Sequence, residues 1–448
     1  MKKIISGWGK NIKVKSDIYL PKNNADIIKY VSSDKKLDLI ARGSGRSYGD
    51  SSLYKNLISL KKMENFFLFN EDLGLLECSS NITLNEILKN IVKKGWFLNV
   101  TPGSKNITIG GAIASDVHGK NHHSDGTFCD YVTSLKIITA KGHLYECNEK
   151  KFSDLYHSTC GGMGLTGIIV SAKIKLLKIK SNLINTETIK TKNLEETINA
   201  FEILKNNKYL VAWVDSTSKN KSLGRSIVFT GNHSNSGNLD FTEKKRISIP
   251  KIFSGIFINN FTIKLFNKMY YFLHDSKKIY SQNIDDFFYP LDKIKNWNNF
   301  YGKNGFIQIQ ILIANNEIKN ILIEILYFFQ KNKQLSFLTT LKKMGLKNKN
   351  YLTFPKKGFT LTLDIKMNKM LPKVYEQLEL MLEKYDSKVY LTKDSMMSDS
   401  FFHNSYENLL KFKKIKKKYD PKNIFKSLQS NRLGITKQNS IININTKG

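Results

Sequence analysis

The chain has 448 residues and a formal net charge of +33, with 41% hydrophobic and 24% charged residues. This length and composition exclude a disordered or fibrous protein and leave room for two ordinary domains or one large discontinuous one. A strongly basic chain suits nucleic acid, an anionic membrane or an anionic substrate. Because the lysines are scattered and no zinc finger, RNP motif or basic heptad region occurs, we expect no nucleic-acid partner.

The cysteines indicate a reducing compartment, because they have neither the CxxC spacing of a redox or zinc motif nor the density of a disulfide scaffold. They are Cys78, Cys129, Cys147 and Cys160. The first residues lack the apolar region of a signal peptide, and no run of about 18 apolar residues occurs. We therefore expect a cytoplasmic protein without a membrane-spanning helix.

The first predicted elements are a helix over 23–36, a short buried strand over 37–41 and a glycine-rich loop over 42–50. The backbone N–H groups of such a loop can bind a pyrophosphate, and Arg42 or Arg46 would add positive charge. The glycine spacing departs from the Rossmann fingerprint, and the following residues 57–60 resemble a strand rather than a helix. A plain tight turn remains the alternative.

A strand over 73–78 and an amphipathic helix over 83–94 follow, with Thr83 and Glu86 spaced as a capping box. Residues 101–123 then combine glycines and small residues with a polar cluster that includes Asp116, His118, Lys120, His122 and His123. Such a backbone can approach a bulky planar or phosphorylated ligand closely, so we predict a cofactor loop. A glycine-rich turn with solvated histidines is the alternative. The histidines lack an acidic or thiol companion at ligand spacing, so we predict no metal site.

Residues 133–139 and 143–147 alternate as a hairpin, and a second small-residue cluster over 155–167 leads into an alternating strand over 168–176. The order of strands, glycine loops and helix indicates an α+β cofactor domain that ends near residue 180.

After residue 180, strands alternate with amphipathic helices. We predict a helix over 194–206, strands over 209–215 and 226–229, and a polar, mobile loop over 232–246. Residues 252–273 are apolar but interrupted by asparagines and lysines, which fits a core helix or an interfacial helix near a membrane or apolar ligand.

Residues 305–313 and 358–365 alternate strictly and are predicted to be neighbouring central strands. Gln308 and Gln310 share one face with Phe306, so that this face could meet a ligand. The C-terminal part has a polar segment over 389–395 and a helix over 404–419 that ends at Asp420 and Pro421. Its lysines over 411–418 indicate a solvated helix face, or a contact with an anionic membrane.

Motifs along nearly the whole chain resemble the vanillyl-alcohol-oxidase (PCMH) type of flavoproteins, and within it the branch that oxidises a lipid-linked sugar. The matching segments are 41–50, 101–123, 161–167, 287–292, 306–310, 390–395 and 420–425. The resemblance implies an α+β fold in which residues 1–180 form a two-part FAD-binding domain. Residues 181–388 would form a substrate domain with an antiparallel sheet flanked by helices, and residues 389–448 would return to the flavin.

The resemblance also implies which residues contact FAD. They are Arg42, Gly43, Ser44, Gly45, Arg46, Ser47, Tyr48, Gly49, Asp50, Gly103, Thr108, Gly110, Gly111, Ser115, Asp116, His118, Gly167, Ile168, Tyr390 and Lys393. Tyr390 and Lys393 would lie near N1 and the C2 carbonyl of the flavin, where an ammonium stabilises negative charge. Some relatives bind FAD covalently through a histidine of the first loop. Arg46 stands at that position here, so we predict non-covalent FAD.

The implied activity is the oxidation of a secondary CH–OH of a sugar, on a polyprenyl-phosphate-linked pentose, to a ketone by hydride transfer to flavin N5. Lys393 or His118 would be the base, with Tyr48 as a third candidate. The implied sugar pocket comprises Tyr48, His118, Gln308, Gln310, Lys342, Thr360 and Thr362. Relatives of this branch have cysteine, asparagine and phenylalanine where this chain has Thr362, Thr360 and Met344, which leaves the sugar and the lipid open.

Two alternatives stay open at this point. A sugar-1,4-lactone (aldonolactone) oxidase belongs to the same superfamily, although such enzymes often carry the covalent histidine that Arg46 replaces. A membrane-associated scaffold with an inactive flavin fold is disfavoured by the presence of Tyr390 and Lys393. The resemblance also implies a short-chain reductase as partner for the ketone, and a peripheral contact of residues 252–273 with the inner membrane face.

Overall fold

The protein is described by a computed structural model, which covers residues 1–33, 37–242, 247–250, 255 and 258–436. Its first sheet contains β1 (Lys2–Ser6), β2 (Lys13–Tyr19), β3 (Leu39–Ala41) and β4 (Asn56–Ile58), in the order β1-β2-β4-β3. Helix α1 (Asn24–Val31) buries Ile27 and Val31, which explains the helical spacing of its apolar residues. The glycine loop 42–50 connects β3 to β4, and the two strands pair in parallel. A strand therefore follows the loop, as predicted, and the segment is not a Rossmann unit.

The second sheet has the order β5-β6-β10-β8-β9, with β7 also paired to β10. Its strands are β5 (Phe67–Asn70), β6 (Leu75–Ser79), β7 (Trp96–Leu98), β8 (Val132–Ile138), β9 (Leu144–Cys147) and β10 (Ile168–Lys178). The helices of this region are α2 (Leu84–Ile91), α3 (Ile109–Ala114), α4 (His122–Asp125) and α5 (Ser153–Thr159). Thr83 and Glu86 form the expected capping box at the start of α2. The four cysteines are buried free thiols, as expected.

The third sheet is antiparallel throughout, with the order β15-β11-β13-β12-β18-β19-β17-β20. Its strands are β11 (Leu183–Thr191), β12 (Tyr209–Val214), β13 (Ser226–His233), β15 (Lys277–Asn283), β17 (Phe306–Ile313), β18 (Thr339–Met344), β19 (Gly358–Lys366) and β20 (Ser387–Val389), while β14 (Ile247–Ser248) and β16 (Ile294–Lys295) form a separate pair. Strands β17 and β19 are adjacent, which confirms the prediction from their alternation.

Three helices cover one face of the third sheet. They are α6 (Leu194–Ile203), α9 (Ile318–Lys331) and α10 (Leu371–Leu382). Their apolar residues share one core with Ile309 and Leu363 of the central strands. Because side chains alternate along a strand, Gln308, Gln310 and Thr362 point to the face of the sheet that these helices do not cover. This α+β arrangement agrees with the predicted fold class.

Two segments differ from the sequence prediction. The loop predicted over 232–246 begins later, because β13 continues to His233 through its pairing with β11. The helix predicted over 404–419 is instead two helices, α11 (Asp399–Ser405) and α12 (Leu409–Tyr419). The chain turns between them at Tyr406, whose hydroxyl donates to the carbonyl of Val389 at 2.8 Å. This bond secures the turn to the end of β20.

Of the segment 252–273, residues 252–254 and 256–257 lie outside the described part, as do 243–246 of the predicted polar loop. The described remainder forms α7 (Asn260–Leu273), the next helix is α8 (Ile284–Phe288), and the last helix of the described residues is α13 (Leu428–Arg432). Among the described residues, no helix combines the length and the apolar character needed to cross a membrane. The domain boundaries at residues 180 and 388 stay predictions; the first falls between β10 and β11.

Candidate active site

One large cavity of about 1290 Å³ lies between the glycine loops of the N-terminal part and the open face of the third sheet. It is larger than the roughly 300–1,000 Å³ of a typical small-molecule pocket, so a dinucleotide and a substrate fit together. Nearly all residues predicted for the cofactor and the substrate line this cavity. The exceptions are Gly49, Asp50, Asp116 and Thr360.

The first wall of the cavity is the loop 42–50. The Arg42 guanidinium turns under this loop and donates to the backbone carbonyls of Ser52 at 3.1 Å and Ser6 at 2.7 Å. Gly45 adopts a φ of +63°, and a side chain there would collide with that guanidinium. Arg46 instead lies over the Trp8 ring, with its Cζ 4.2 Å from the ring centroid. Both arginines line the cavity, but their contacts differ. The Arg42 guanidinium supports the loop, whereas that of Arg46 lies over Trp8.

The second wall is the segment from Gly103 to His118. Thr108 caps α3 and contacts Gly43, where a side chain would collide with the threonine hydroxyl. The two glycine loops are thus in contact, with the Thr108 side chain against the backbone at Gly43. A Cβ on Gly103, by contrast, would meet nothing within 4 Å and would point into open space. Loops without side chains beside a large cavity suit close approach of a bulky ligand to the backbone.

The third wall is the open face of the third sheet, and strand register decides which side chains meet there. Gln308 lies opposite Asp364, and Thr362 lies between Gln310 and Thr340. The Gln308 amide donates to the Asp364 carboxylate. Two acceptor atoms on this face, Thr362 Oγ1 and Asp364 Oδ2, are buried without a hydrogen-bond partner among the described residues. Orphaned buried acceptors at a cavity wall are suited to ligand hydroxyl groups.

His118 lies where the second and third walls meet. Gln310 Nε2 lies 2.9 Å from His118 Nε2 and 3.2 Å from Thr360 Oγ1. The Thr360 hydroxyl donates to the carbonyl of Ile311, so it accepts from the Gln310 amide. The same amide then donates to His118 Nε2, which leaves the proton of the neutral imidazole on Nδ1. Burial lowers the pKa of His118 well below its usual value, and the charges of Lys342, His122 and Lys393 lower it further.

Lys393 lies at the centre of the site. Its ammonium is 3.9 Å from the centroid of the Tyr48 ring. Burial lowers the pKa of Lys393 to about 7, although the charge of Asp364 raises it. Burial also raises the pKa of Asp364 to about 7, against the effects of Gln308 and Lys393. Burial raises the pKa of Tyr48 well above its usual value, so that its hydroxyl stays protonated at neutral pH. Of these three groups, Lys393 and Asp364 exchange a proton most readily near neutral pH.

Two further lysines line the cavity. Lys120 donates to the carbonyls of Phe287 at 2.9 Å and Phe288 at 3.2 Å. Burial lowers its pKa to about 7, with a smaller effect of the charge on Lys342. Burial likewise lowers the pKa of Lys342 to about 8. The unfavourable burial of both ammonium groups is relieved when an anion binds between them.

From this polar centre the cavity continues into a part lined by aromatic side chains. They come from five separate segments and are Trp213, Phe229, Phe266, Tyr270, Trp297 and Phe337. Phe266 stacks on Phe337 with ring centroids 4.5 Å apart, and Trp213 contacts Tyr270 at 4.6 Å. We call this part the aromatic arm. It provides an apolar surface that is continuous with a basic centre.

Comparison with known proteins agrees with this geometry. Residues 17–148 match the FAD binding domain, and residues 375–431 match the family described as berberine and berberine like. A decaprenylphosphoryl-beta-D-ribose oxidase from Mycolicibacterium smegmatis is 30% identical over 454 residues, covering 96% of this chain and 97% of that relative. The chain belongs to the vanillyl-alcohol-oxidase (PCMH) type of FAD-dependent oxidases.

More distant relatives of this PCMH-type oxidase match over shorter stretches of the chain. Cytokinin dehydrogenase 1 of Arabidopsis thaliana is 29% identical over 156 residues, which cover 33% of this chain and 27% of that relative. Delta(24)-sterol reductase of Homo sapiens is 26% identical over 99 residues, covering 22% of this chain and 19% of that relative. Matches over a third of the chain or less are typical of relatives that share part of a fold and differ in the rest.

FAD is the cofactor of this PCMH-type oxidase. The two contacting glycine loops, the open space beside Gly103 and the cavity volume fit a flavin dinucleotide. The loops would hold the pyrophosphate, while His118, Tyr390 and Lys393 lie together where the loops meet the third sheet, with Lys393 against Tyr48 of the first loop. There the Tyr390 hydroxyl donates to the carbonyl of Ser115 at 2.7 Å, and its ring centroid is 5.4 Å from that of His118.

The four predicted residues that do not line the cavity stabilise its walls. Asp50 accepts from Arg432 at 2.8 Å, and Asp116 accepts from Asn348 at 2.7 Å and Asn350 at 2.8 Å. Thr360 orients Gln310. A side chain on Gly49 would collide with the carbonyl of Asp394, so this glycine permits a close approach of two chain segments.

Asp364 and the residues of the aromatic arm were not predicted from the sequence. Asp364 carries the same strand periodicity as Thr360 and Thr362, so extending that alternation by one step would have found it. The aromatic arm had no comparable signal, because its residues are separated in sequence and meet only through the sheet order. Among the described residues, no group of three or more His, Cys, Asp or Glu side chains is placed to hold a metal ion.

Proposed function

We propose that this enzyme oxidises a secondary alcohol of a pentose linked through phosphate to a polyprenyl chain. The observation that carries the proposal is the continuity of one cavity from a basic, hydrogen-bonding centre into the aromatic arm. An amphiphile with a sugar, an anionic phosphate and an apolar tail matches these surfaces in this order. The relative from Mycolicibacterium smegmatis is named for a decaprenylphosphoryl ribose, which belongs to this chemical class.

In this proposal Lys120 and Lys342 hold the phosphate, because both ammonium groups line the same cavity as the sugar-binding face. Sugar hydroxyls donate to Thr362 Oγ1 and Asp364 Oδ2, which are buried acceptors without a protein partner among the described residues. His118 donates from Nδ1 to an oxygen of the substrate. Tyr48, whose raised pKa keeps its hydroxyl protonated, is a hydrogen-bond donor rather than the base.

Lys393 is the base that we propose for the hydroxyl proton, with Asp364 setting its pKa. A base works best when its pKa is near the operating pH, and Lys393 meets this condition. His118 suits the role less well, because Gln310 occupies its Nε2 lone pair and the neighbouring ammonium groups oppose protonation. FAD, when bound, takes up the hydrogen and the electron pair that leave the carbinol carbon, which becomes a carbonyl. The ketone would then be a substrate for a reductase.

We further propose that FAD is bound without a covalent bond, because Arg46 stands where some relatives have the linking histidine. Acid precipitation tests this point. Yellow colour released to the supernatant is the expected result, whereas colour that stays with the precipitated protein would contradict the role given to Arg46.

A substrate comparison tests the proposed function. The purified FAD-loaded enzyme is assayed with a dye acceptor and three compounds: a short-chain prenyl-phosphoryl ribose, free ribose, and a sugar-1,4-lactone. We expect kcat/KM for the prenyl-phosphoryl ribose to exceed that for free ribose by about 100-fold or more, since each bound charge or buried apolar group contributes about 1–3 kcal/mol. Faster oxidation of the lactone would replace the proposal with an aldonolactone oxidase.

A further inference from the structure

Helix α7 has three chemically distinct faces. Ile263, Asn267 and Tyr271 are buried against the protein. Phe266 and Tyr270 line the aromatic arm. Four of the remaining apolar side chains form an outward stripe, which consists of Phe261, Leu265, Met269 and Phe272.

The outward stripe is unusual for a surface helix, whose solvent-facing side is normally polar. Phe261 is 74% exposed, Leu265 48% and Met269 52%. Spacings of three and four residues place these side chains on one side of the helix, one turn apart. The stripe is therefore a continuous apolar surface along the helix.

Lys264 and Lys268 border this stripe, one helical turn apart. Neither forms an ion pair with any residue that the structure describes, and α7 contains no acidic residue. The helix thus combines an exposed apolar stripe with the ammonium groups of Lys264 and Lys268 beside it. This pattern is typical of helices that lie in the interface of an anionic bilayer, with apolar side chains inserted and lysines at the headgroups.

We propose that the outward stripe of α7 docks this protein on the surface of an anionic lipid bilayer. The proposal rests on the proposed function, because a membrane-embedded polyprenyl chain would then enter the aromatic arm beside Phe266. A second copy of the chain fits the stripe less well. In a two-fold contact the stripe of one chain packs against the same stripe of the other, which brings the lysines of both chains together. An anionic surface neutralises these lysines.

Vesicle flotation of the full-length, FAD-loaded protein tests the proposal. The vesicles contain phosphatidylcholine alone or with roughly 30% phosphatidylglycerol, which gives a strongly anionic surface. The test variant is Phe261→Ser/Leu265→Ser/Met269→Ser, which leaves the residues of the aromatic arm unchanged. The matched control is Leu380→Ser/Leu410→Ser, on helix residues that are 65% and 81% exposed elsewhere on the surface.

We expect the wild type and the control to float with anionic vesicles, and the triple variant to bind about tenfold more weakly or worse, because the inserted apolar area is lost. Lys264→Glu/Lys268→Glu is expected to abolish the preference for anionic over neutral vesicles. Wild-type protein that does not float, or a triple variant that floats like wild type, overturns the proposal. A dimer in vesicle-free buffer that the triple variant converts to a monomer assigns the stripe to a second copy and also overturns it.

Bleaching of the flavin by a short-chain prenyl-phosphoryl pentose in vesicle-free buffer separates this proposal from the proposed function. Equal bleaching of the wild type and the triple variant, with no flotation of either, removes the membrane contact and keeps the activity. Flotation of the wild type without bleaching keeps the membrane contact and removes the activity.

Discussion

The side-chain amide of Gln310 donates a hydrogen bond to Nε2 of His118 at 2.9 Å, between residues 192 positions apart in the chain. The contact joins the glycine-rich part of the site to the third sheet. It also fixes the imidazole in the tautomer that carries its proton on Nδ1. His118 is therefore less suited than Lys393 to act as the base in the proposed reaction, because Gln310 occupies its Nε2 lone pair.

The first prediction concerns this contact. Gln310→Leu leaves His118 Nε2 without its donor, so the imidazole loses its fixed tautomer at a cost of about 1–2 kcal/mol. We expect FAD to remain bound and its reduction by substrate to slow by about five- to thirtyfold. Rapid-mixing absorbance of the flavin measures this rate. An unchanged rate would show that the orientation of His118 does not matter for the reaction.

Replacement of Lys393 tests its role as base. Lys393→Met keeps the length of the side chain and removes the amine, so we expect a reduction rate about 10²–10⁴-fold lower, the usual contribution of a general base. The ratio of flavin to protein absorbance should stay close to that of the wild type, because the two glycine loops that would hold the pyrophosphate are unchanged. Reduction at the wild-type rate would remove Lys393 from the chemical step.

Asp364 is predicted to set the pH range of the reaction. Its negative charge favours the ammonium form of Lys393 and so raises the pKa of that group, which burial has lowered to about 7. The base is the neutral amine, so the reduction rate should rise with pH and reach half of its maximum near pH 7. Asp364→Asn removes the negative charge and thus lowers the Lys393 pKa, so the midpoint should move by about one unit to lower pH.

The pH dependence of flavin reduction for the two proteins checks this prediction. Loss of reduction at every pH in the Asp364→Asn variant would mean that the Asp364 carboxylate is itself the base, and a midpoint that does not move would contradict its effect on Lys393. Thr362→Val provides a control, because it removes a neighbouring hydroxyl without changing a charge.

A stability prediction concerns the C-terminal end of the chain. Arg432 donates to Asp50 and to Asp394, both at 2.8 Å, and both carboxylates are buried. Arg432→Met leaves two buried carboxylates without their cation, so we expect unfolding to become easier by about 3–5 kcal/mol. Lys347→Met is the matched control, because Lys347 pairs with Glu407 on the surface and should contribute less than about 1 kcal/mol.

Denaturant unfolding of FAD-loaded protein measures both variants under one condition, because FAD itself stabilises the folded state. Equal stability of the two variants would contradict the role of Arg432. The same bridge explains Asp50, which the resemblance assigned to the cofactor and which instead attaches the glycine loop to α13.

The elements predicted best are those that local chemistry specifies. The capping box at Thr83 and Glu86 needs only side chains three residues apart, and the adjacency of β17 and β19 follows from two strictly alternating central strands. The two glycine loops were recognisable because glycine is required where another chain segment comes close to the backbone, as the carbonyl of Asp394 does at Gly49. These features depend on short spacings in the sequence.

The remaining features depend on contacts between distant segments. Asp364 meets Gln308 only because β19 pairs with β17 in one particular register, and a shift by one residue would turn it to the helix-covered face. The residue spacing of the glycine loop 42–50 could not show that the Arg42 side chain turns under the loop and donates to the carbonyls of Ser52 and Ser6. The break between α11 and α12 likewise comes from a tertiary bond, that of Tyr406 to Val389.

The proposed oxidation is tested most directly by a single anaerobic turnover. FAD-loaded enzyme is mixed with a prenyl-phosphoryl pentose in the absence of any other acceptor, and the flavin absorbance and the mass of the sugar lipid are measured together. We predict that one substrate molecule bleaches one flavin and that the product is lighter than the substrate by the mass of two hydrogen atoms. A flavin that dithionite reduces but that this substrate leaves oxidised, with the mass of the substrate unchanged, would contradict the proposed oxidation.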